Sequence, residues 1–184
     1  QFDVVTADQF KAAGDDLEKQ GMKKLLVDLR NNPGGVLDTV VDMLDYILPD
    51  DLIIEGDKDL VRTNTEATLL VYMADKNGKG GQEYASDGHS LDIPLAVLVN
   101  GESASASEVF TGAMKDYGRA TVVGTKTFGK GIVQNLIPLD NGTAIKMTTA
   151  HYYTPSGFDL HGKGIEPDVE VELKEEFKNQ ITVD

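Results

Sequence analysis

The chain has 184 residues, of which 40% are hydrophobic and 26% charged, a composition ordinary for a single globular domain. Its 17 basic and 31 acidic residues give a net charge of −14, which argues against nucleic acid as a partner because phosphate binding requires a basic face. The chain has no cysteine, which excludes disulfides and thiolate chemistry, and no run of apolar residues long enough to span a membrane.

Helices and strands alternate through the first part of the chain, which favours an α/β fold with a right-handed βαβ unit. The apolar spacing and the turn residues predict four elements. They are a helix that begins with a capping box at Thr6–Gln9 and ends near Gly21, a buried strand at residues 25–29, a helix over residues 36–48 that ends at Pro49, and a strand at residues 52–55.

The middle of the chain contains a predicted hairpin and then a second strand-to-helix step. Asn77-Gly78 is a strong hairpin turn signal, and Asn141-Gly142 marks a later turn. The predicted elements are strands at residues 68–73 and 82–85, a strand at 95–99, a helix at 109–116, and strands at 120–124, 132–137 and 144–149. From Tyr152 onward the tail is polar, with proline and glycine.

The run from Asn100 to Glu108 is the most informative motif, because its serines alternate with alanines where a strand turns into a helix. Such a turn can present one hydroxyl to a reacting carbonyl and leave backbone N–H groups free to bind negative charge. Lys130 follows in a glycine-rich segment, and a serine with a lysine base is a known variant of the Ser-His-Asp triad. An alternative stays open from spacing alone: a simple helix start, with Ser105-x-x-Glu108 as its capping box.

Lysine can act as a base only when it is neutral, and burial among apolar groups favours its neutral form. Three apolar neighbours of Lys130, namely Phe128, Ile132 and Val133, predict such burial.

A phosphate-binding loop and a histidine-based triad have weaker support in the sequence. The spacing from Gly124 to Gly131 nearly matches a phosphate-binding loop, but Gly131 stands where Ser or Thr is needed, and a strand is predicted to follow. The histidines have no recognisable motif, so a Ser-His-Asp triad ranks below lysine as the base. His89 and His161 are expected in surface loops, and His151 in sheet packing or a groove wall. We expect no metal and no cofactor.

The turn Asn31-Asn-Pro-Gly-Gly35 follows the first predicted buried strand. In open α/β sheets, ligands bind beyond the carboxyl ends of the strands. Gly34 and Gly35 can present backbone N–H groups there without obstruction from a side chain. The turn is therefore a candidate binding element as well as a connection.

Taken together, six motifs in order resemble the carboxy-terminal processing peptidases, also called tail-specific proteases, of the S41 serine peptidase family. The resemblance spans nearly the whole chain and implies a ClpP/crotonase-like core of ββα units, to which we add a β-hairpin. The motifs are Leu29–Gly35, Asn100–Glu108, Gly118–Gly124, Lys126–Gly131, Tyr152–Gly157 and Gly162–Asp168.

The resemblance implies that Ser105 is the nucleophile, Lys130 the base and Gln134 a supporting residue. The spacing agrees, because alternate residues on a strand point to one face, so Gln134 can reach Lys130. The implied oxyanion donors are backbone amides of Ala106 and of the turn at Gly34 and Gly35. Ser103 and Ser107 then serve the turn and the helix cap.

The implied activity is that of a serine endopeptidase that cleaves protein substrates near accessible C-terminal tails through an acyl-enzyme intermediate. Family members typically carry a PDZ domain, so residues 1–184 are expected to be a peptidase core excised from a longer, extracytoplasmic bacterial protein. A homo-oligomer stays open. Two alternatives remain: a non-catalytic peptide-binding or assembly module, and a crotonase-like acyl-CoA enzyme, against which the acidic charge weighs.

Overall fold

The computed structural model describes residues 1–52, 54, 67–86, 88, 90–174 and 177. Within them the chain forms three helices and eight strands, in the order expected of a mixed α/β fold. The helices are α1 Thr6–Lys19, α2 Leu37–Ile47 and α3 Ala106–Asp116. The strands are β1 Leu25–Asp28, β2 Leu69–Ala74, β3 Gly81–Ala85, β4 Leu95–Val99, β5 Thr121–Gly124, β6 Ile132–Pro138, β7 Ala144–Tyr153 and β8 Val169–Glu170. No helix in these ranges is long and apolar enough to cross a membrane.

The strands form two sheets. A parallel sheet has the order β1-β4-β5-β8, and an antiparallel sheet has the order β3-β2-β7-β6. Helix α3 contacts β5 of the first sheet and β2 of the second, so it joins the two sheets through the main apolar core. Phe110 on α3 and Val97 on β4 are completely buried there.

The turn signals in the sequence are confirmed. β2 pairs with β3 across the Asn77-Gly78 turn, and the Asp75 carboxylate accepts the Asn77 N–H at 2.8 Å. β6 pairs with β7 across the turn at Asn141-Gly142. β7 is longer than predicted, because it continues to Tyr153 and pairs there with β2.

Two predictions near the N-terminus are wrong. The Thr6 hydroxyl accepts the Asp3 N–H, and Val5 is the N-cap of α1 without a side-chain cap, so the capping box at Thr6–Gln9 does not form. The β1 segment is not buried on both faces: Leu26 is 59% exposed, whereas its neighbour Val27, which points to the opposite face, packs in the main core. The stop at Gly21 is confirmed, since its φ is +83° and its N–H bonds to the Glu18 carbonyl.

The predicted strand at residues 52–55 falls partly outside the described residues, and the described Leu52 and Ile54 are not in a strand. The parallel partner of β1 is β4, which follows α2 and the β2–β3 hairpin in the chain. The βαβ unit ending at residue 55 therefore stays a prediction.

Candidate active site

Ser105 occupies a strained turn between β4 and α3. It is the N-cap of α3, with φ 57° and ψ −118°, a backbone conformation that L-residues rarely adopt. Among the described residues, Asn31 is the other non-glycine residue with positive φ, at 60°. Backbone strain of this kind costs about 1–3 kcal/mol, and it clusters at functional sites. Both strained residues lie in the two turns that the sequence singled out.

Hydrogen bonds join these two turns directly. The Asn100 side-chain amide donates to Asn31 Oδ1 at 2.8 Å, and the Asn31 N–H donates to Asn100 Oδ1 at 3.0 Å. The buried Ser103 hydroxyl donates to the Leu29 carbonyl at 2.7 Å. The Ser107 hydroxyl donates to the Asn32 carbonyl at 2.9 Å. The neighbours of Ser105 therefore connect the Ser105 turn (residues 100–106) to the 31–35 turn, in addition to their predicted roles in the turn and the helix cap.

Gly34 packs against the Ser105 turn so closely that no larger residue fits. A Cβ placed on Gly34 would lie 2.8 Å from the Ala106 nitrogen and 2.8 Å from Ser105 Cβ. Its φ of +95° also favours glycine. The two backbone segments expected to form the oxyanion site are thus adjacent.

The backbone N–H groups where these two segments meet differ in whether they already donate a hydrogen bond. The Gly34 N–H donates to Asn32 Oδ1 at 3.0 Å. The N–H groups of Ala106 and Gly35 have no acceptor among the described residues. Gly35 forms a bridge with Phe2, whose bonds go to the Gly34 carbonyl and the Val36 N–H. That pattern turns the Gly35 N–H away from Phe2. Ala106 and Gly35 therefore have the amides that are free to bind a developing negative charge.

Glu108 connects the Ser105 turn to the lysine segment, residues 127–130. Its side chain is fully buried, and its carboxylate accepts four hydrogen bonds. The donors are the Ser105 N–H at 2.9 Å and the Lys130 N–H at 2.8 Å, both to Oε2, and the Thr127 hydroxyl at 2.6 Å and the Gly129 N–H at 2.7 Å, both to Oε1. Sequence reasoning recognised Glu108 only through the Ser-x-x-Glu capping pattern. Its bonds to the lysine segment have no local sequence signal.

Thr127 extends this network to the tail of the chain. Its hydroxyl donates to Glu108 and accepts the Ile165 N–H at 2.7 Å, while its own N–H donates to the Ile165 carbonyl at 3.1 Å. Thr127 is 4% exposed. The Gly162–Asp168 motif is therefore bonded, through one buried hydroxyl, to the carboxylate beneath Ser105.

The predicted burial of Lys130 is wrong in this structure. Its side chain is exposed, Phe128 is 63% exposed, and Ile132 and Val133 are half-buried. The reason is that the β6–β7 hairpin extends beyond the core: the residues from Gln134 to Pro138 are all exposed. No hydrogen bond joins the Lys130 side chain to Ser105 or Gln134 among the described residues. The Gln134 amide instead donates to Thr148 Oγ1 at 3.5 Å.

The described histidine side chains form no hydrogen bond with this network. His151 is on β7, as expected for sheet packing, with Nδ1 3.2 Å from Asp159 Oδ2 and its ring centroid 5.0 Å from that of His161. His161 lies in an exposed turn, as predicted. His89 lies outside the described residues. The segment after Lys130 is strand β6, not the helix that a phosphate-binding loop requires.

A pocket of about 410 Å³ opens at the carboxyl ends of β1, β4 and β5. Arg30, Asn31, Asn100 and Thr125 line its polar part. The Arg30 guanidinium lies 2.6 Å from Asp28 Oδ2, and its hydrogen bonds lower the pKa of the Asp28 carboxyl below the ordinary 3.8. Ser105 does not line this pocket. No group of three or more potential metal-ligating side chains occurs in the described part of the chain.

Comparison with known proteins agrees with this geometry. The family model for peptidase family S41 matches residues 1–171. A probable CtpA-like serine protease of Staphylococcus epidermidis is 42% identical over 175 residues, covering 93% of this chain and 32% of the relative. One from Staphylococcus aureus is 40% identical over 176 residues, covering 94% and 32%. The chain thus spans about a third of the length of these curated relatives.

Solved structures confirm the predicted fold class. The photosystem II D1 C-terminal processing protease matches with a TM-score of 0.78 and 35% identity, covering 93% of this chain and 40% of that one. A lipoprotein from Streptococcus agalactiae matches with a TM-score of 0.64 and 21% identity, covering 90% and 57%, and this likeness concerns the fold alone. The matches of sequence and structure, together with the six ordered motifs, show that this chain belongs to peptidase family S41.

Proposed function

We propose that this chain is the catalytic core of a serine endopeptidase that cleaves protein substrates near their C-termini, with Ser105 as nucleophile and Lys130 as general base. One observation carries the proposal. The buried Glu108 Oε2 accepts the backbone N–H groups of both Ser105 and Lys130, so the two segments are bonded to one atom. A shared acceptor keeps the proposed nucleophile and base in neighbouring positions.

In the proposed reaction, Ser105 Oγ attacks the scissile carbonyl carbon while Lys130 Nζ removes the hydroxyl proton. Lys130 then donates that proton to the leaving amine, and an acyl-enzyme remains on Ser105. Water, deprotonated by the same lysine, hydrolyses the ester and releases the product. Gln134 lies on β6, shortly after Lys130 in the chain. Its side chain orients the Lys130 amine when that amine rotates toward Ser105.

The oxyanion of each tetrahedral intermediate is bound by backbone amides. Ala106 and Gly35 are the favoured donors because their N–H groups are free among the described residues, and Gly34 becomes a donor if it exchanges its bond to Asn32. Removing one such donor costs about 3–4 kcal/mol of transition-state stabilisation in a well-studied case.

The exposed Lys130 side chain fits the proposal if substrate covers it. A peptide lying over Lys130 removes water from the amine and thereby favours its neutral form, which is the form a base requires. The names of the relatives support the substrate class: they are CtpA-like serine proteases and a protease that processes a C-terminus. The proposal also places the enzyme outside the cytoplasm, as the family resemblance implies.

The test compares Ser105→Ala and Lys130→Ala with Lys126→Ala, a control that removes an exposed lysine paired with Glu166 at 2.7 Å. Hydrolysis of unfolded casein is measured together with urea unfolding. We expect the first two variants to lose about 10³-fold or more of the activity at unchanged stability, and the control to retain it. Casein hydrolysis by Lys130→Ala at the wild-type rate would exclude the lysine as base.

A further inference from the structure

Asn100 binds Asn31 through two hydrogen bonds whose directions are fixed. Asn100 Oδ1 accepts the backbone N–H groups of Asn31 at 3.0 Å and of Glu102 at 3.1 Å. Because a backbone N–H is a donor only, this position must hold the oxygen of the Asn100 amide. The amide nitrogen therefore faces Asn31 Oδ1, to which it donates at 2.8 Å. One side chain thus binds both the backbone and the side chain of Asn31.

Asn31 needs this support because its backbone is left-handed. Its φ of 60° is unfavourable for an L-residue, and asparagine tolerates it best when its side chain is hydrogen-bonded. Among the described residues, Asn100 is both the acceptor of the Asn31 N–H and the donor to the Asn31 side chain. The left-handed conformation at residue 31 therefore depends on a residue of the Ser105 turn.

The orientation of the 31–35 turn depends on more than one attachment to the Ser105 turn. The Asn32 carbonyl is one attachment, since it accepts the Ala104 N–H at 3.0 Å. Bonds to a single atom leave the turn able to rotate about that atom, and the pair of Asn31 with Asn100 opposes this rotation. Gly35, at the end of the turn, has a backbone N–H without an acceptor among the described residues. The direction of that N–H follows from the orientation of the turn.

We propose that Asn100 is a positioning residue for the oxyanion site. Its bonds to Asn31 hold the 31–35 turn so that the N–H groups of Gly35 and Ala106 point to the same oxygen. This inference rests on the proposed peptidase function, in which those two amides bind the oxyanion. Asn100 acts through Asn31 and not on the substrate. Because an oxyanion donor stabilises the transition state more than the bound substrate, loss of Asn100 lowers kcat and leaves KM unchanged.

The first test compares Asn100→Ala with Asn100→Asp in casein hydrolysis, with urea unfolding measured in parallel. Alanine removes every hydrogen bond of the side chain. Aspartate keeps an acceptor for both backbone N–H groups, and its second oxygen accepts the Asn31 amide nitrogen, which has no acceptor of its own among the described residues. We expect Asn100→Ala to lower kcat about 100-fold with KM within about twofold of wild type, and Asn100→Asp to lower kcat less than about tenfold.

Asn141→Ala is the matched control for this truncation. Asn141 Oδ1 accepts the Thr143 N–H at 3.1 Å and the Thr143 hydroxyl at 2.7 Å, in the turn between β6 and β7. The control therefore loses similar bonds in an exposed turn, and its kcat is expected to equal that of wild type. Two results would overturn the proposal: an Asn100→Ala protein with the kcat of wild type, or one whose lower kcat/KM arises from KM alone.

The second test separates positioning from relief of backbone strain. Asn31→Gly is introduced into the Asn100→Ala protein, because glycine adopts a φ of 60° at little cost. We expect this double variant to regain the urea midpoint that Asn100→Ala loses but to keep its low kcat, since glycine relieves strain without attaching the two turns. Recovery of the wild-type kcat would show that Asn100 only offsets strain, and the proposal would be wrong.

The third test does not depend on activity. The amide proton and nitrogen resonances of Gly35 are compared among wild type, Asn100→Ala and Asn141→Ala. We expect them to move in Asn100→Ala and to stay in place in Asn141→Ala, because only the first variant frees the 31–35 turn. Unmoved Gly35 resonances in a folded Asn100→Ala protein would overturn the proposal. If instead the peptidase function fails, wild type cleaves no casein, while the Gly35 resonances still report whether Asn100 orients the turn.

Discussion

The Glu108 Oε2 atom accepts the Lys130 backbone N–H at 2.8 Å although the two residues are far apart in the chain. The same oxygen accepts the Ser105 N–H at 2.9 Å, and both bonds are shielded because Glu108 is fully buried. Hydrogen bonds to a buried carboxylate are stronger than neutral ones. The positions of the proposed nucleophile and base therefore depend on one side chain that is itself closed off from solvent.

Glu108→Gln is expected to lower both stability and activity. The glutamine amide nitrogen cannot accept a hydrogen bond, so it would face either the Ser105 and Lys130 N–H groups at the Oε2 position or the Gly129 N–H and the Thr127 hydroxyl at the Oε1 position, and at least one backbone N–H would lose its acceptor. We expect the free energy of unfolding to fall by about 3–5 kcal/mol and kcat for casein to fall about 100-fold or more. Urea unfolding and initial rates measure the two effects.

The control for this substitution is Glu102→Gln, which removes the same charge from an exposed position in the same turn. Its unfolding free energy is expected to change by less than about 0.5 kcal/mol. A Glu108→Gln protein with the stability and activity of wild type would show that the four-donor carboxylate is not needed to position Ser105 and Lys130.

Thr127→Val tests whether the tail motif supports the site through the threonine hydroxyl. Valine keeps the shape but removes the donor to Glu108 and the acceptor of the Ile165 N–H. We expect stability to fall by about 1–3 kcal/mol and kcat to fall about tenfold, with KM unchanged because substrate does not contact this buried residue. Thr127→Ser restores the hydroxyl and should recover kcat; a serine variant as impaired as the valine one would contradict this role.

The local features of the site were predictable, and its long-range bonds were not. The strand-to-helix turn at Ser105 and the two Asn-Gly turns follow from short patterns with a direct physical cause, namely small residues and positive φ. The alternative interpretation of Glu108 as a helix cap was correct as far as it went, since its carboxylate accepts the Ser105 N–H. Capping and positioning of the lysine segment turn out to be performed by the same carboxylate.

The two wrong predictions of burial, for Lys130 and for β1, have the same cause. Apolar neighbours predicted burial of Lys130, and an apolar run predicted a doubly covered β1, but burial depends on which layers pack above a strand. Leu26 lies on a face of β1 that is open to solvent, and Lys130 lies just before a hairpin strand whose residues from Gln134 onward are exposed. Neither the Thr127 to Glu108 bond nor the Asn31 to Asn100 pair has a local pattern, since each forms only after the tertiary fold brings distant turns together.

Gly34→Ala should abolish activity by steric overlap. The added Cβ would lie 2.6 Å from the Ala104 carbonyl oxygen and 2.8 Å from the Ala106 nitrogen, so the Ser105 turn must move. Gly21→Ala is the control, because Gly21 also has positive φ but has nothing within 4 Å of an added Cβ. Both variants are expected to lose about 1–2 kcal/mol from backbone strain, but only Gly34→Ala should lose casein hydrolysis, by about 100-fold or more. Equal rates for the two variants would show that the turn tolerates displacement.

Asp28→Asn is expected to lower the free energy of unfolding at neutral and mildly acidic pH, but not in strong acid. Hydrogen bonding from the Arg30 guanidinium lowers the pKa of the Asp28 carboxyl below 3.8 in the folded protein. A carboxyl with a depressed folded pKa contributes stability that is fully present above its unfolded pKa and is lost as pH falls through the folded value. Wild type and Asp28→Asn are therefore expected to differ in unfolding free energy at pH 5 and pH 7 and to converge as the pH falls through the lowered folded pKa of Asp28. Because the Asp28 side chain is 40% exposed, solvent screening keeps the difference under about 1 kcal/mol. Urea unfolding at pH 7, at pH 5 and at the lowest pH at which wild type stays folded measures it, with Asp140→Asn in the exposed hairpin turn controlling for net charge; a difference that grows as the pH falls would contradict the lowered pKa of Asp28.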